Sequence, residues 1–202
     1  MNITLIGASG NAGSRILKEL TDRGHHVTAI VRHPEKVAKL PNVTAIYGDA
    51  SNKDALVSLL KGSDIVISAL RFSTTDPRIL IDAVKAAGVK RYLVVGGAGS
   101  LEVAPGVKLF DTPEFPELYK PEATKGGAFL DLLREEKELD WTFLSPSSMF
   151  VPGERTGNFR LGGDQLLTSE KGSSISFEDY AVALVDEIEK PKHRRQRFTV
   201  GY

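Results

Sequence analysis

The chain contains no cysteine at all. That excludes disulfides, thiolate nucleophiles and cysteine-ligated metals, and it fits a reducing compartment. An excess of either charge is also missing: 26 Lys and Arg balance 26 Asp and Glu for a formal net charge of zero. The long-range field of a nucleic-acid binder or membrane-surface protein is therefore absent, and a small molecule is the expected partner. No apolar run reaches the roughly 18 residues of a membrane span. The N-terminus, MNITLIGASG, lacks the basic region of a signal peptide. The four histidines form no metal pattern. His25 and His26 are adjacent and point to different sides, and His193 lies in the basic run Lys192-His193-Arg194-Arg195. That run is too short, in a neutral chain, to argue nucleic-acid binding. The single Trp141 falls in an expected strand and reads as core. What remains is a cytoplasmic protein of 202 residues, 41% hydrophobic, long enough for one domain over 1–202 with a full core. Nothing in the composition indicates the oligomeric state.

The richest local signal is Gly7-Ala8-Ser9-Gly10-Asn11-Ala12-Gly13. The apolar run Ile3-Thr4-Leu5-Ile6 precedes it, and Ser14-Arg15-Ile16-Leu17-Lys18-Glu19-Leu20, apolar at helical spacing, follows. Strand, glycine-rich turn and helix in that order open a dinucleotide-binding unit. Glycines let the turn run tight and bring backbone N–H groups to a pyrophosphate at the positive end of the helix. Such a pattern is weak alone and strong in this context.

The rest alternates. A helix is expected over 12–23 with Gly24 as its stop, then a strand over 27–31. A short helix over 34–40 leads to a strand over 43–47. Ser51 or Asn52 caps a helix containing Leu56, Leu59 and Leu60. A strand over 64–69 follows. Asp76 and Pro77 then read as N-cap and first residue of a helix closed by Gly88, before a strand over 91–95. This is the α/β pattern of a doubly wound parallel sheet, the Rossmann architecture, with right-handed crossovers and strand order 3-2-1-4-5-6. Beyond Ser100 the regularity breaks. Residues 101–120 read as a long loop over the site. A helix over 121–138 turns Phe129, Leu132 and Leu133 inward, and 141–145 is the sixth strand. Residues 146–175 read as a small irregular C-terminal cap forming part of the substrate side. Ser176-x-x-Asp179 resembles a capping box for a helix ending near Lys190, and 197–200 is a closing strand.

Site candidates follow the strand ends. In many dinucleotide units an acidic residue ending strand two takes the ribose hydroxyls, whereas an Arg there suits the 2′-phosphate of NADP. Here the strand ends Val31-Arg32-His33, with no carboxylate before Glu35. Arg32 offers a planar fork for a phosphate with His33 assisting, the alternative being an exposed surface Arg, and NADP(H) is preferred over NAD(H). Asp49 and Ala50 follow strand three, where Asp49 either accepts the exocyclic amine of adenine or serves as a turn residue. Ser68, Ala69 and Leu70 are small or apolar residues beside the switch point, and Arg71 offers a charge to a pyrophosphate or an acidic substrate. Gly96 and Gly97 would leave room for nicotinamide. An acid/base residue is harder to find. Tyr119 is followed by Lys120 and Lys125, so the Tyr-x-x-x-Lys spacing that acidifies a catalytic phenol is missing. Tyr119 is either a proton donor or a cap on the core, and Ser100 either orients a substrate or is a turn hydroxyl.

Taken together, Gly7 to Gly13, Arg32, the Asp49 loop and Ser68-Ala69-Leu70 resemble the atypical short-chain dehydrogenase/reductase group. Within it the chain is similar to the NAD(P)H-binding flavin reductase and biliverdin reductase B-like family, including bacterial NADH-flavin reductase-like proteins. Leu139-Asp140-Trp141-Thr142-Phe143-Leu144-Ser145-Pro146, Pro152-Gly153-Glu154-Arg155-Thr156-Gly157 and Ile175-Ser176-Phe177-Glu178-Asp179-Tyr180-Ala181 strengthen the likeness, which spans nearly the whole chain. The resemblance implies a Rossmann fold, a nicotinamide cofactor, hydride transfer to a flavin or similar planar acceptor, and a missing Tyr-Lys pair. It also puts Ser100 near a substrate-orienting serine, and Ser147 where bilin-reducing members carry a histidine, which argues against bilin reduction.

Three functions compete. One is an NADPH-dependent reductase of a flavin, quinone or similar acceptor. Another is a dinucleotide sensor without turnover, resembling nitrogen-metabolite regulators. The third, an epimerase or reductase of sugar-like substrates, is disfavoured by the missing Tyr-Lys spacing.

Overall fold

A computed structural model describes all residues, 1–202. In chain order its first half comprises β1 (Asn2–Ile6), α1 (Asn11–Asp22), β2 (His26–Val31), β3 (Val43–Tyr47), α2 (Lys53–Leu60), β4 (Ile65–Ser68), α3 (Pro77–Ala86) and β5 (Arg91–Val95). The second half comprises β6 (Glu102–Ala104), β7 (Val107–Lys108), α4 (Lys120–Glu135), β8 (Asp140–Pro146), β9 (Met149–Val151), β10 (Arg160–Gly162), β11 (Ser174–Ser176), α5 (Phe177–Glu189) and β12 (Gln196–Gly201).

The apolar runs read as buried strands all enter one sheet, ordered β3-β2-β1-β4-β5-β8-β12-β10. Seven of these strands are parallel and β10 alone is antiparallel, at the edge beside β12. The expected order is present, with β8 as sixth strand and β12 as a seventh. Continuous apolar sequence is what a parallel strand covered on both faces requires. On one face α1 and α5 bury Ile16, Leu17, Leu20, Tyr180, Leu184 and Val185. On the other α2, α3 and α4 bury Leu56, Leu60, Leu80, Val84, Phe129 and Leu133. Successive strands are added outward from β1 to β3 on one side and from β4 onward on the other; that switch point between β1 and β4 opens the sheet's carboxyl edge for a ligand.

Local signals set most boundaries. Asp76 accepts from the Arg78 N–H at 2.9 Å, and Asn52, of the two candidates, accepts from Ala55 at 3.1 Å. Four expectations change. The helix over 34–40 is a single 3-10 turn, Pro34–Lys36, because Val37 turns extended and joins the core. The helix expected to reach 138 stops at Glu135. The Glu136 carboxylate accepts from the Glu138 and Leu139 N–H groups at 2.6 and 3.2 Å and turns the chain out. In α4 it is Leu130 that is fully buried beside Phe129 and Leu133, with Leu132 partly so. Residues 101–120 are not a free loop over the cleft. They form the β6–β7 hairpin and two 3-10 turns, and Glu102 joins the hairpin to Asp164 and Leu166 near the β10 edge.

The cap is similarly less irregular than its composition suggests, since β9 and β11 pair in parallel and β10 extends the main sheet. Between β9 and β10, carboxylates substitute for secondary structure. Gly153 N–H donates to Glu178 at 2.9 Å, and Thr156 and Gly157 N–H both donate to Asp179 at 2.8 Å. Ser176 caps α5 by accepting from Asp179 N–H at 2.9 Å. The reciprocal half of the capping box is missing, because the Asp179 carboxylate is spent on the cap. Arg155 forms a two-pronged pair with Glu19 of α1, both contacts at 2.8 Å.

Those Arg155 bonds hold the Glu19 carboxyl below its ordinary 4.5, against the opposing effect of burial and with help from Arg23. Stability from this pair is therefore present above the unfolded-state value and is lost as pH falls through the lower folded-state value. Glu19→Gln is expected to cost about 1–3 kcal/mol at neutral pH. Arg155 is more than half exposed, which favours the lower end. Thermal melts of the two proteins should converge as pH falls below the lowered folded-state value, and a gap independent of pH would disprove the ionic origin.

Candidate functional site

The carboxyl ends of β1 and β4 meet more closely than side chains allow. Gly7 turns the chain with φ of +86°, and a Cβ there would lie 2.3 Å from the Ala69 carbonyl oxygen. Gly13, in the first turn of α1, presses on the same turn: its Cβ would lie 2.0 Å from the Gly7 oxygen. Gly10 is different. It precedes the helix with ordinary dihedrals, and a Cβ would meet only the Gly7 oxygen, at 3.6 Å. One glycine makes the turn, one admits the helix, and the middle one leaves bare backbone facing outward. No side chain caps α1 and its first turn holds no acidic residue. The unpaired N–H groups at its positive end are thus left for an anion.

In front of them lies a cleft of about 370 Å³, within the size range of small-molecule sites. Gly7, Ser9 and Gly10 form its floor. Arg32 and His33 after β2, Asp49 and Ala50 after β3, and Ala69, Leu70 and Arg71 after β4 form its walls. Asn11, Ala12 and Gly13 form the helix turn behind Gly10. The Asp49 carboxyl is held below the ordinary range by the Ser51 N–H and hydroxyl, at 2.9 and 2.7 Å, with the Arg32 charge adding to this. Arg32 is exposed and makes no bond within the protein, so its guanidinium is unspent. His33 faces Glu35 instead, with Nδ1 3.3 Å from the carboxylate. A polar cleft of about 340 Å³ lies at the opposite, amino end of β1–β3. No helix begins in its lining, and ligands of open α/β sheets bind at the carboxyl ends.

The remaining candidates stand elsewhere. A Cβ on Gly96 would meet the Phe143 ring at 2.4 Å and the Leu144 oxygen at 2.7 Å, and one on Gly97 would reach Phe72 at 3.4 Å. The space beside Gly96 is taken by protein, whereas Gly97 is partly exposed and meets a single ring at ordinary contact distance. Ser100 is 5% exposed; its Oγ accepts from Arg197 at 3.0 Å, and its carbonyl from the same guanidinium at 3.2 Å. It anchors a buried arginine rather than facing the cleft. Tyr119 is 60% exposed, just before α4, and is outside the cleft lining. Thr74 and Thr75, which carry no signal in the sequence, and Asp76, expected there only as a helix N-cap, complete one wall. The signal for Asp76 was Asp76-Pro77, which marks a helix end at the sheet's carboxyl edge.

A sequence profile described as NAD(P)H-binding matches residues 7–191. The chain belongs to this NAD(P)H-binding family. The match begins at Gly7, the first residue of the Gly7–Gly13 cradle. YwnB of Bacillus subtilis strain 168, an uncharacterized protein, is 44% identical over 99% of this chain and 98% of its own length. A Bacteroides thetaiotaomicron structure provisionally named an epimerase is 47% identical with a TM-score of 0.94, covering 100% of this chain and 96% of its own. A Streptococcus pneumoniae structure provisionally named an NADH-flavin reductase is 40% identical with a TM-score of 0.84, covering 100% and 99%. Oxidoreductase-like members of the family thus share the whole fold with this chain, while their provisional names diverge in chemistry.

Gly10 and Gly13 are expected to separate binding from folding. Gly13→Ala should cost about 1–3 kcal/mol in urea denaturation, since a methyl must displace backbone. Gly10→Ala should unfold as the native protein does and lose dinucleotide affinity in calorimetric titration. Equal denaturation midpoints for the two variants would contradict these roles.

Proposed function

We propose that this protein is a reductase that takes hydride from NADPH, in preference to NADH, and delivers it to a flavin, a quinone or a similar planar acceptor. The observation that carries the reading is Arg32, an unpartnered guanidinium at the end of β2 where a ribose-reading carboxylate would otherwise stand. A planar fork there matches a 2′-phosphate. Floor and walls suit the rest of the cofactor: Gly10 backbone and the α1 first turn for the pyrophosphate, Arg71 as a further cation, and Asp49 with one oxygen free toward adenine.

A reduced nicotinamide, when bound, supplies the hydride; the protein supplies binding, orientation and shielding from water. Ser100 is engaged by Arg197 and Tyr119 faces solvent. Neither supports a proton-donor role, which favours acceptors that collect their proton from solvent. Residues 146–175 are assigned to the acceptor side, supported by their position after the carboxyl end of β8 and by exposed Met149 and Val151. The cytoplasm, with its reduced dinucleotide pools, is the proposed location, and no helix is long and apolar enough to cross a membrane. The absent proton donor also favours a second reading, a sensor that binds the dinucleotide without turnover.

Purified protein mixed with NADPH and FMN, or with a benzoquinone, should consume reduced nicotinamide absorbance catalytically. Tight binding with no turnover on flavins, quinones or carbonyls would leave the sensor. Separately, Arg32→Glu should weaken NADPH binding by about 1–3 kcal/mol and NADH binding less. Equal losses would show that Arg32 does not read the 2′-phosphate.

A further inference from the structure

Glu122 sits in the first turn of α4, outside the cleft lining. Its carboxylate reaches across to the loop after β4 and spends both oxygens on consecutive backbone N–H groups. Oε1 accepts from Phe72 and Oε2 from Ser73, each at 2.7 Å. These two residues open the 3-10 turn Phe72–Thr74. On either side of that pair the chain lines the cleft, through Arg71 before it and Thr74, Thr75 and Asp76 after it. Lys125, one helical turn further along α4, adds a 3.3 Å bond from Nζ to the Ser73 carbonyl.

The loop has a second, independent anchor. The Phe72 ring stacks on Phe143 at 6.2 Å between centroids and meets Phe129 edge-on at 5.9 Å. It also lies where a Cβ on Gly126 of α4 would come within 2.9 Å. This plug belongs to the apolar core and accounts for the loop's contribution to stability. The Glu122 bonds are polar and sit at the rim. Removing them frees the backbone of the wall without emptying the core. A charged acceptor shared by two N–H donors is the stronger kind of hydrogen bond, and it fixes the direction of the turn as well as its place.

We infer that Glu122 is a positioning residue for dinucleotide binding: it clamps the Arg71–Asp76 wall of the cleft to α4 and touches no ligand itself. This rests on the reading that the cleft holds the dinucleotide.

The test compares wild type, Glu122→Ala and Glu122→Gln by calorimetric titration with NADPH well below each protein's Tm, alongside thermal melts and amide exchange at Phe72 and Ser73. Gln keeps one acceptor and turns an NH2 toward the other N–H, so it preserves shape while halving the clamp. The expected result is a Kd about tenfold higher for Ala and an intermediate rise for Gln. Melting points should stay near wild type, and amide protection at Phe72 and Ser73 should be lost in the free Ala variant and regained on NADPH binding. Wild-type affinity in both variants overturns the clamp while leaving the cleft's reading intact. A lowered Tm with unchanged affinity of the folded protein reduces Glu122 to a structural role and likewise overturns it. Failure of wild type itself to bind NADPH or NADH overturns the dinucleotide reading, and the clamp's role with it.

Discussion

Everything at the cleft depends on the contact between the ends of β1 and β4 and the start of α1. Three backbone segments meet there at separations a single methyl would break, at Gly7 against Ala69 and at Gly13 against Gly7. Hydrogen bonds from Gly7 N–H to Ile30 and from Ala69 N–H to Ile6 fix the two ends in register. Because the helix starts so near the sheet edge, its unpaired N–H groups point at the switch point, where the polarity of the helix favours an anion. The loops after β2, β3 and β4 end at that same edge because the strands are parallel, so residues far apart in sequence become walls of one space.

Away from that point the structure relies on carboxylates to hold segments that have no regular hydrogen bonding of their own. Glu122 holds the loop after β4, Glu136 ends α4, and Glu19, Glu178 and Asp179 hold the segment between β9 and β10. A buried N–H without a partner is costly, and an ionised oxygen accepts from two at once. The equal numbers of acidic and basic residues are thus spent partly inside, as ties between elements.

The strands were legible because a parallel strand covered on both faces must be a short continuous apolar run, as in Ile65-Val66-Ile67 or Leu93-Val94-Val95. Helix starts at Asn52, Asp76 and Ser176 were legible because capping is a contact within three residues. The cleft was legible at Gly7, Gly10, Arg32, Asp49 and Arg71 for a similar reason: fold class alone places strand ends together. For Ser100, Gly96 and Gly97 the sequence could not choose between a ligand and a packing role, because each has a partner distant in sequence, namely Arg197, Phe143 and Phe72. Smallness in a sequence does not say whether a ligand or another strand takes up the room. The capping box at Ser176 was half right, since Asp179 had stronger demands from Thr156 and Gly157.

By itself the sequence determined the parallel sheet, the glycine cradle at its first crossover and the cation at the end of its second strand. These are consequences of local periodicity and of chain order. Only the tertiary structure decided that Ser100 is sealed under Arg197, that Tyr119 stands in solvent, and that Glu122 reaches across to brace a wall of the cleft. Such outcomes turn on which elements meet. They are set by side-chain packing and by the need to satisfy each buried polar group, both of which act across distances that a linear pattern does not encode.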